Sequence, residues 1–422
     1  MSNEQQQIIK RNFLLNLLEG TLFTSAGSLN SMQTVLPALV AQLGGSNFHI
    51  GAVAVVGYGS FFLPQIFAAR YAEAAPWKKT MTIRIGAMHR GVLLALASVL
   101  LIWGRRSPDT VLFLFFVLYG LNQLLAGMTS PFWIDFFGKL TPLRLRGRLV
   151  GLRASTGAVG ALMCGLALTW LLGFFPFPTN LGVALLLAAI LQFASLVAQI
   201  FVHEPDPSNV KPISPLGEYI RSLPTFFRHD TGFAAFIIAC ALYVLGGIPV
   251  GFYAAYALRS MHAPGSMVGG FTVAMVLVQI GSATANGFLA DRYGYKIPLL
   301  VSGLSTAIAS LTAIAAPSAE WFYLVFIFVG INIGSESTAR SNMAIEFGTE
   351  HQRASIVGLL NTMLAPCYFV GILGGSMVDV FGFKWLFVFG ALSSLAGFFV
   401  MSKFVHDPRH LWTRVDSQVG MQ

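Results

Sequence analysis

Gly287-Phe288-Leu289-Ala290-Asp291-Arg292-Tyr293-Gly294-Tyr295-Lys296 places an acid, two bases and two glycines in a chain that otherwise runs apolar for about twenty residues at a time. The stretch closes one such run, Ser266–Leu289, and opens the next, Ile297–Ala316. Gly294 permits a tight turn, because a residue without a Cβ takes left-handed backbone conformations at no steric cost. Gly287 predicts a close approach of neighbouring helices. Asp291 suits a helix N-terminus, where the dipole favours a carboxylate, and can pair with Arg292 or Arg353. The stretch reads as a short charged turn between two membrane spans.

Outward from it, the composition agrees. Hydrophobic residues make up 55% of the 422, and charged ones only 10%, against about a quarter in a soluble domain. Most of the outer surface must therefore face lipid. A bilayer core needs about 20 apolar helical residues, and twelve segments qualify: Phe13–Ala41, His49–Ala72, Thr82–Trp103, Thr110–Phe137, Leu149–Leu172, Leu181–Val202, Thr231–Ala257, Ser266–Leu289, Ile297–Ala316, Trp321–Ile345, Ala354–Val378 and Lys384–Met401. The third is interrupted by Arg84, His89 and Arg90, and the ninth is short. Pro64, Pro131, Pro249 and Pro366 are compatible with spans, since neighbouring helices re-satisfy freed backbone groups. Cys164, Cys240 and Cys367 sit inside apolar runs without metal-ligand spacing and read as packing residues. No metal or other cofactor is implied.

The net charge of +9 is concentrated in short segments between apolar runs, the pattern of cytoplasmic loops, so no nucleic-acid partner is expected. With both termini inside, the cytoplasmic turns hold most of the Lys and Arg. Lys10 and Arg11 precede a long apolar stretch with no small-residue cleavage site, so the first span serves as its own insertion signal. The longest connection, 203–230, carries Pro205, Pro207, Pro212 and Pro215, then an amphipathic piece, Leu216–Phe227. It divides the chain into an N-terminal six-helix bundle (1–202), a cytoplasmic linker (203–230), a C-terminal six-helix bundle (231–405) and a cytoplasmic tail (406–422). Phe67-Ala68-Ala69-Arg70-Tyr71 after span two corresponds to Phe288-Leu289-Ala290-Asp291-Arg292-Tyr293 after span eight. Arg148-Leu149-Val150-Gly151-Leu152 after span four corresponds to Arg353 and Val357-Gly358-Leu359 after span ten. The two halves are read as a duplication.

The quoted loop resembles the signature Gly-x-x-x-Asp-Arg-x-Gly-Arg-Lys of the major facilitator superfamily, found after span two and again after span eight. Here Tyr295 replaces the usual base. In the first copy Ala69 stands where the acid belongs, with Glu73 displaced in a longer loop. With twelve spans and a central linker, the resemblance covers essentially the whole chain. It implies an all-α integral membrane protein of two pseudo-symmetric six-helix bundles. It also implies that spans one, four, seven and ten line the substrate path. Gly287, Asp291, Arg292, Gly294, Lys296 and Arg353 would then form a cytoplasmic gate, its acid carried by the second half.

Ionisable residues inside spans are costly and mark function. Glu19 lies about two turns into span one and shares a helical face with Asn16, Phe23, Gly27 and Asn30. That face is too polar for lipid, and burial suits its carboxyl to accept a proton. Glu336 and Arg340 form an i,i+4 pair on span ten, near Asn332. Both carboxylates are proton-coupling candidates, and the Glu336–Arg340 pair reads equally well as a structural ion pair. Asn122 and Gln123 on span four, Tyr243 on span seven, Gln279 on span eight and Asn361 on span eleven complete the substrate candidates. Asp135 is expected to bridge to Lys139, Arg90 and Arg153 to snorkel or join the gate, and Tyr253 and Tyr256 to belong to an interfacial belt.

No Gly-x-x-x-x-Gly-Lys-Ser/Thr loop supports an ATP-driven pump, and no nucleophile–base pair supports an enzyme. The chain reads as a secondary active transporter moving a small organic solute by alternating access with protons. It would act as a monomer in a plasma membrane such as the bacterial inner membrane. Two alternatives stand beside it. One is an exporter of a drug-like compound or siderophore, although span five, Gly157-Ala158-Val159-Gly160, lacks the proline of drug/proton antiporters. The other is a non-transporting receptor or assembly factor on the same fold.

Overall fold

The computed structural model describes residues 3–204, 207, 231–347 and 353–406. The Leu216–Phe227 piece, most of the linker, the 407–422 tail and the side chain of Arg353 lie outside the described residues. Among the described residues the chain is helical, without strands. Among the described residues eleven helical stretches are long and apolar enough to cross a membrane. The first span completes twelve: its helix Asn3–Gly27 carries Glu4, Lys10, Arg11 and Glu19, and continues beyond a turn as Val35–Gln42.

Four spans are interrupted. Span two is Asn47–Phe62 and Gln65–Ala74, and span seven is Thr231–Gly246 and Val250–Ser260. Pro64 and Pro249 stand at these two breaks, where the pyrrolidine ring removes a donor and clashes with the preceding turn. Span eleven breaks at Val370, between Arg353–Phe369 and Gly371–Phe381. Pro131 and Pro366 lie inside continuous helices. All four prolines thus lie within candidate spans, two at a break and two inside continuous helix. Spans one and seven occupy corresponding places in a six-plus-six plan and both break near their middle, after Gly27 and Gly246. Span three, despite its charges, is one helix from Lys78 to Trp103.

The chain forms two compact units, Met1–Ser214 with Ala263–Val273, and Pro215–His262 with Ala274–Gln422. In the first, span one packs on spans five and six, and span three on spans four and six. Small residues allow the closest approach. A Cβ on Gly160 would stand 1.9 Å from the Ser25 hydroxyl and one on Gly157 2.9 Å from Thr24. The Thr21 and Thr156 hydroxyls lie 2.5 Å apart across the same seam. With lipid outside, such seams hold by van der Waals packing and interhelical hydrogen bonds.

In the second unit, span twelve packs on spans seven and nine, and span ten on span nine. The Tyr243 ring is wedged against two glycines: a Cβ on Gly303 would sit 2.1 Å from it, and one on Gly397 2.7 Å. Tyr253 is fully buried, its hydroxyl 2.8 Å from that of Ser310, among Phe322, Phe326 and Phe387. Tyr256 packs on Phe322, Phe383 and Phe387. These tyrosines belong to an aromatic core, which corrects their reading as an interfacial belt. Sequence spacing showed the shared face but not what covered it.

Candidate functional site

The first polar centre lies inside the N-terminal unit. Glu19 is 3% exposed. Its Oε2 accepts from Arg153 Nη1 at 2.6 Å and its Oε1 from Gln199 Nε2 at 3.1 Å. One carboxylate therefore ties span one to spans five and six. The same Arg153 nitrogen donates to the Asn16 carbonyl at 2.5 Å, and the guanidinium lies over the Trp133 and Phe137 rings. Gly20 makes the room, since a Cβ there would stand 2.2 Å from the guanidinium carbon. Arg153 thus neither snorkels nor joins the gate loop. It is the counter-ion of Glu19, a pairing 134 residues apart in sequence.

Arg90 is also internal, at 4% exposure. It donates to the Gln192 carbonyl at 2.6 Å and the Gly86 carbonyl at 2.9 Å, and its guanidinium faces Phe23 at 5.7 Å. Asn122 is buried and donates to the His89 carbonyl at 2.9 Å, while Gln123 is half-buried. The face proposed for span one divides. Asn16 and Glu19 are buried among helices, whereas Phe23 and Gly27 are exposed and Asn30 sits in the turn that breaks the span.

The second centre lies in the C-terminal unit. Glu336 Oε1 accepts from Arg340 Nη1 at 2.5 Å along one helix, with the two side chains 31% and 21% exposed. Arg340 also meets the Tyr368 hydroxyl of span eleven at 3.2 Å. Asn332 donates to the Ser302 hydroxyl at 2.8 Å. The Tyr243 hydroxyl, buried in this unit, makes no hydrogen bond among the described residues. Gln279 and Asn361 are half-buried.

At the gate loop, Gly294 has φ +88° and its N–H donates to the Ala290 carbonyl at 2.9 Å. Gly287 differs from its expected role, because a Cβ there would meet nothing within 4 Å. Asp291 is exposed and lies in the last turn of the helix Met267–Tyr293, not at the helix N-terminus expected of it; Arg292 lies over the Tyr293 ring, and Lys296 donates to the Ser402 carbonyl at 2.9 Å.

A residue absent from the sequence-based candidates organises the matching end of the first unit. Glu204 accepts the backbone N–H groups of Lys78 at 2.9 Å and Lys79 at 3.0 Å, and the Lys139 ammonium at 2.9 Å. It caps span three and binds the end of span four. Asp135 meets Lys78 at 3.6 Å, so the expected Asp135–Lys139 bridge is replaced by two longer-range pairs. The available signal was an acid at the end of an apolar run, with two lysines opening another.

A family model described as Major Facilitator Superfamily matches residues 18–363 and 234–418. An uncharacterized MFS-type transporter of Methanocaldococcus jannaschii is 23% identical over 400 residues, 89% of this chain and 94% of that protein. The arabinose-proton symporter of Bacillus subtilis is 21% identical over 210 residues, 45% of this chain and only 44% of the symporter's length. Among solved structures, a variant of the nucleoside transporter NupG superposes with a TM-score of 0.71 at 16% identity, covering 94% of this chain and all of that one. That likeness concerns the fold.

Proposed function

This chain belongs to the major facilitator superfamily and is a multi-pass membrane transporter; from that premise we propose that it is a proton-coupled secondary transporter of a small organic solute. It works by alternating access as a monomer. The excess of Lys and Arg in the turns on one side supports cytoplasmic termini in a plasma membrane such as the bacterial inner membrane. The two bundles, 1–202 and 231–405, are its functional halves.

One observation carries this reading: each unit holds a carboxylate–guanidinium pair within its spans, Glu19–Arg153 and Glu336–Arg340. An isolated charge within a bilayer is costly, so the pair is tolerated as a unit. A proton arriving on Glu19 leaves Arg153 without its counter-ion, which favours a new arrangement of span five against span one. Proton arrival and helix rearrangement are thereby linked through one atom pair. The likeness to a sugar–proton symporter supports the same coupling. Substrate contacts are assigned to the exposed or half-buried groups Phe23, Gln279, Asn332, Arg340 and Asn361, in company with Asn30, Gln123 and Tyr243.

The test is transport by purified protein in proteoliposomes, with solutes chosen by a ligand-stabilisation screen. Glu19→Gln is expected to abolish accumulation driven by a pH gradient while keeping solute exchange, and Glu336→Gln is its companion. Accumulation equal to that of the unsubstituted protein in both variants would remove proton coupling from these carboxylates.

A further inference from the structure

The end of the first unit that Glu204 organises contains an open pocket of about 380 Å³, lined by Arg11, Trp77, Lys79, Phe201, His203 and Glu204 among others. That volume falls in the range of about 300–1,000 Å³ typical of small-ligand sites. Its charge is unbalanced. Both Glu204 oxygens are already engaged by the Lys78 and Lys79 backbone and by Lys139. Arg11 donates to the Phe201 carbonyl at 2.9 Å and Lys79 to the Val202 carbonyl at 2.8 Å. Among the described residues neither cation has a carboxylate within 4.0 Å apart from any that Glu204 shares. Lys79 is attracted by Glu204 and, more weakly, repelled by Arg11. An anion beside Arg11 and Lys79 offsets the repulsion that remains.

The rim is of a different character. Trp77 is 46% exposed, Phe201 56%, Ile200 45% and Val197 50%. Val197, Ile200 and Phe201 share a face of span six at helical spacing, so the exposed apolar strip runs from the pocket along the span. A solute arriving from water needs no such strip. A lipid does: its headgroup sits at the level of Trp and basic side chains, and its chains lie along the helices.

We propose that the Arg11–Lys79 pocket binds the phosphate headgroup of an anionic phospholipid, with an acyl chain lying along Val197, Ile200 and Phe201. The lipid bridges the start of span one, the start of span three and the end of span six. These elements are joined there by Glu204 and by Asn12, whose amide pairs with the His203 backbone at 2.8 and 2.9 Å.

The test uses the full chain in detergent, titrated with phosphatidylglycerol and followed by native mass spectrometry and thermal unfolding. The expected result is binding of phosphatidylglycerol in preference to phosphatidylcholine. Affinity should fall about fivefold in Arg11→Gln and about thirtyfold in Arg11→Gln with Lys79→Gln, from about 1 kcal/mol per cation. Arg148→Gln, which removes an exposed cation of span five outside the pocket, should leave affinity unchanged. Arg11→Gln carries the result if the double variant does not fold, because Arg11 lies exposed on the first helix. Equal binding of the two lipids overturns the proposal, as does an equal loss in Arg148→Gln. Protection by inorganic phosphate alone, matching that by the lipid, overturns the lipid assignment in favour of a free phosphate-bearing solute.

Discussion

The two carboxylate–guanidinium pairs are alike in chemistry and opposite in reach. Glu19–Arg153 joins two helices and, through Gln199, a third, with both partners largely buried. Glu336–Arg340 spans one helical turn, with side chains 31% and 21% exposed. The first pair is part of what holds its bundle together. The second lies within one helix, with a single further tie from Arg340 to Tyr368 of span eleven. The contrast separates two situations that composition alone merges: a charge pair that joins packed helices and a half-open pair within one helix.

The largest effect is expected where this contrast is cut at its buried end. Arg153→Gln leaves Glu19 without a counter-ion among closely packed helices, and losing one partner of a buried pair costs about 3–5 kcal/mol. Thermal unfolding in detergent reads this. Adding Glu19→Gln to the same protein should recover much of the loss, since no uncompensated charge then remains. Arg340→Gln should cost less than Arg153→Gln, because its pair with Glu336 is only half-buried and lies within one helix. Equal losses in Arg153→Gln and Arg340→Gln would break the comparison.

A second cut falls on Glu204. Glu204→Gln removes the charge that two backbone donors and Lys139 share, and is expected to cost about 2 kcal/mol, the scale of a charge-assisted hydrogen bond. The first loop lacks the acid of the second at Ala69, and Glu204 supplies a carboxylate at that end from the segment after span six. Amide exchange at the start of span three locates the effect: protection should fall at Lys78 and Lys79 first. Loss spread evenly over the unit would remove the capping role.

The twelve spans were legible because lipid demands apolar runs of fixed length, and the gate turn because Gly294 at φ +88° is a local requirement. Partners were not. Hydropathy marks Glu19 and Arg153 as costly but cannot match charges 134 residues apart, and Arg153 was expected to snorkel or join the gate. Glu204 was missed for a similar reason, since an acid beside two prolines reads as linker until the helix it caps is seen. The same limit applies to glycine. Gly303 and Gly287 look equivalent in sequence, yet only the first faces a packed ring. Gly303→Ala should therefore cost about 1–3 kcal/mol by overpacking against Tyr243. Gly287→Ala should be neutral or stabilising by up to about 1 kcal/mol, the helix-propensity difference. Thermal unfolding of the two variants side by side checks this.

The smallest effect on stability, and the most informative for gating, is expected at Asp291. Its side chain is exposed, so Asp291→Asn should change unfolding by less than about 0.5 kcal/mol. If the carboxylate acts as a gate latch, the consequence appears in conformation instead. About 1 kcal/mol of lost closure raises a minor open population roughly fivefold. Single cysteines introduced at the cytoplasmic ends of spans two and eleven should react correspondingly faster with a membrane-impermeant thiol reagent. Glu204→Gln, measured in the same way, tests whether the first unit's carboxylate shares that duty. A faster reaction in Asp291→Asn alone confines the latch to the second loop, and unchanged rates in both variants remove gating from either acid.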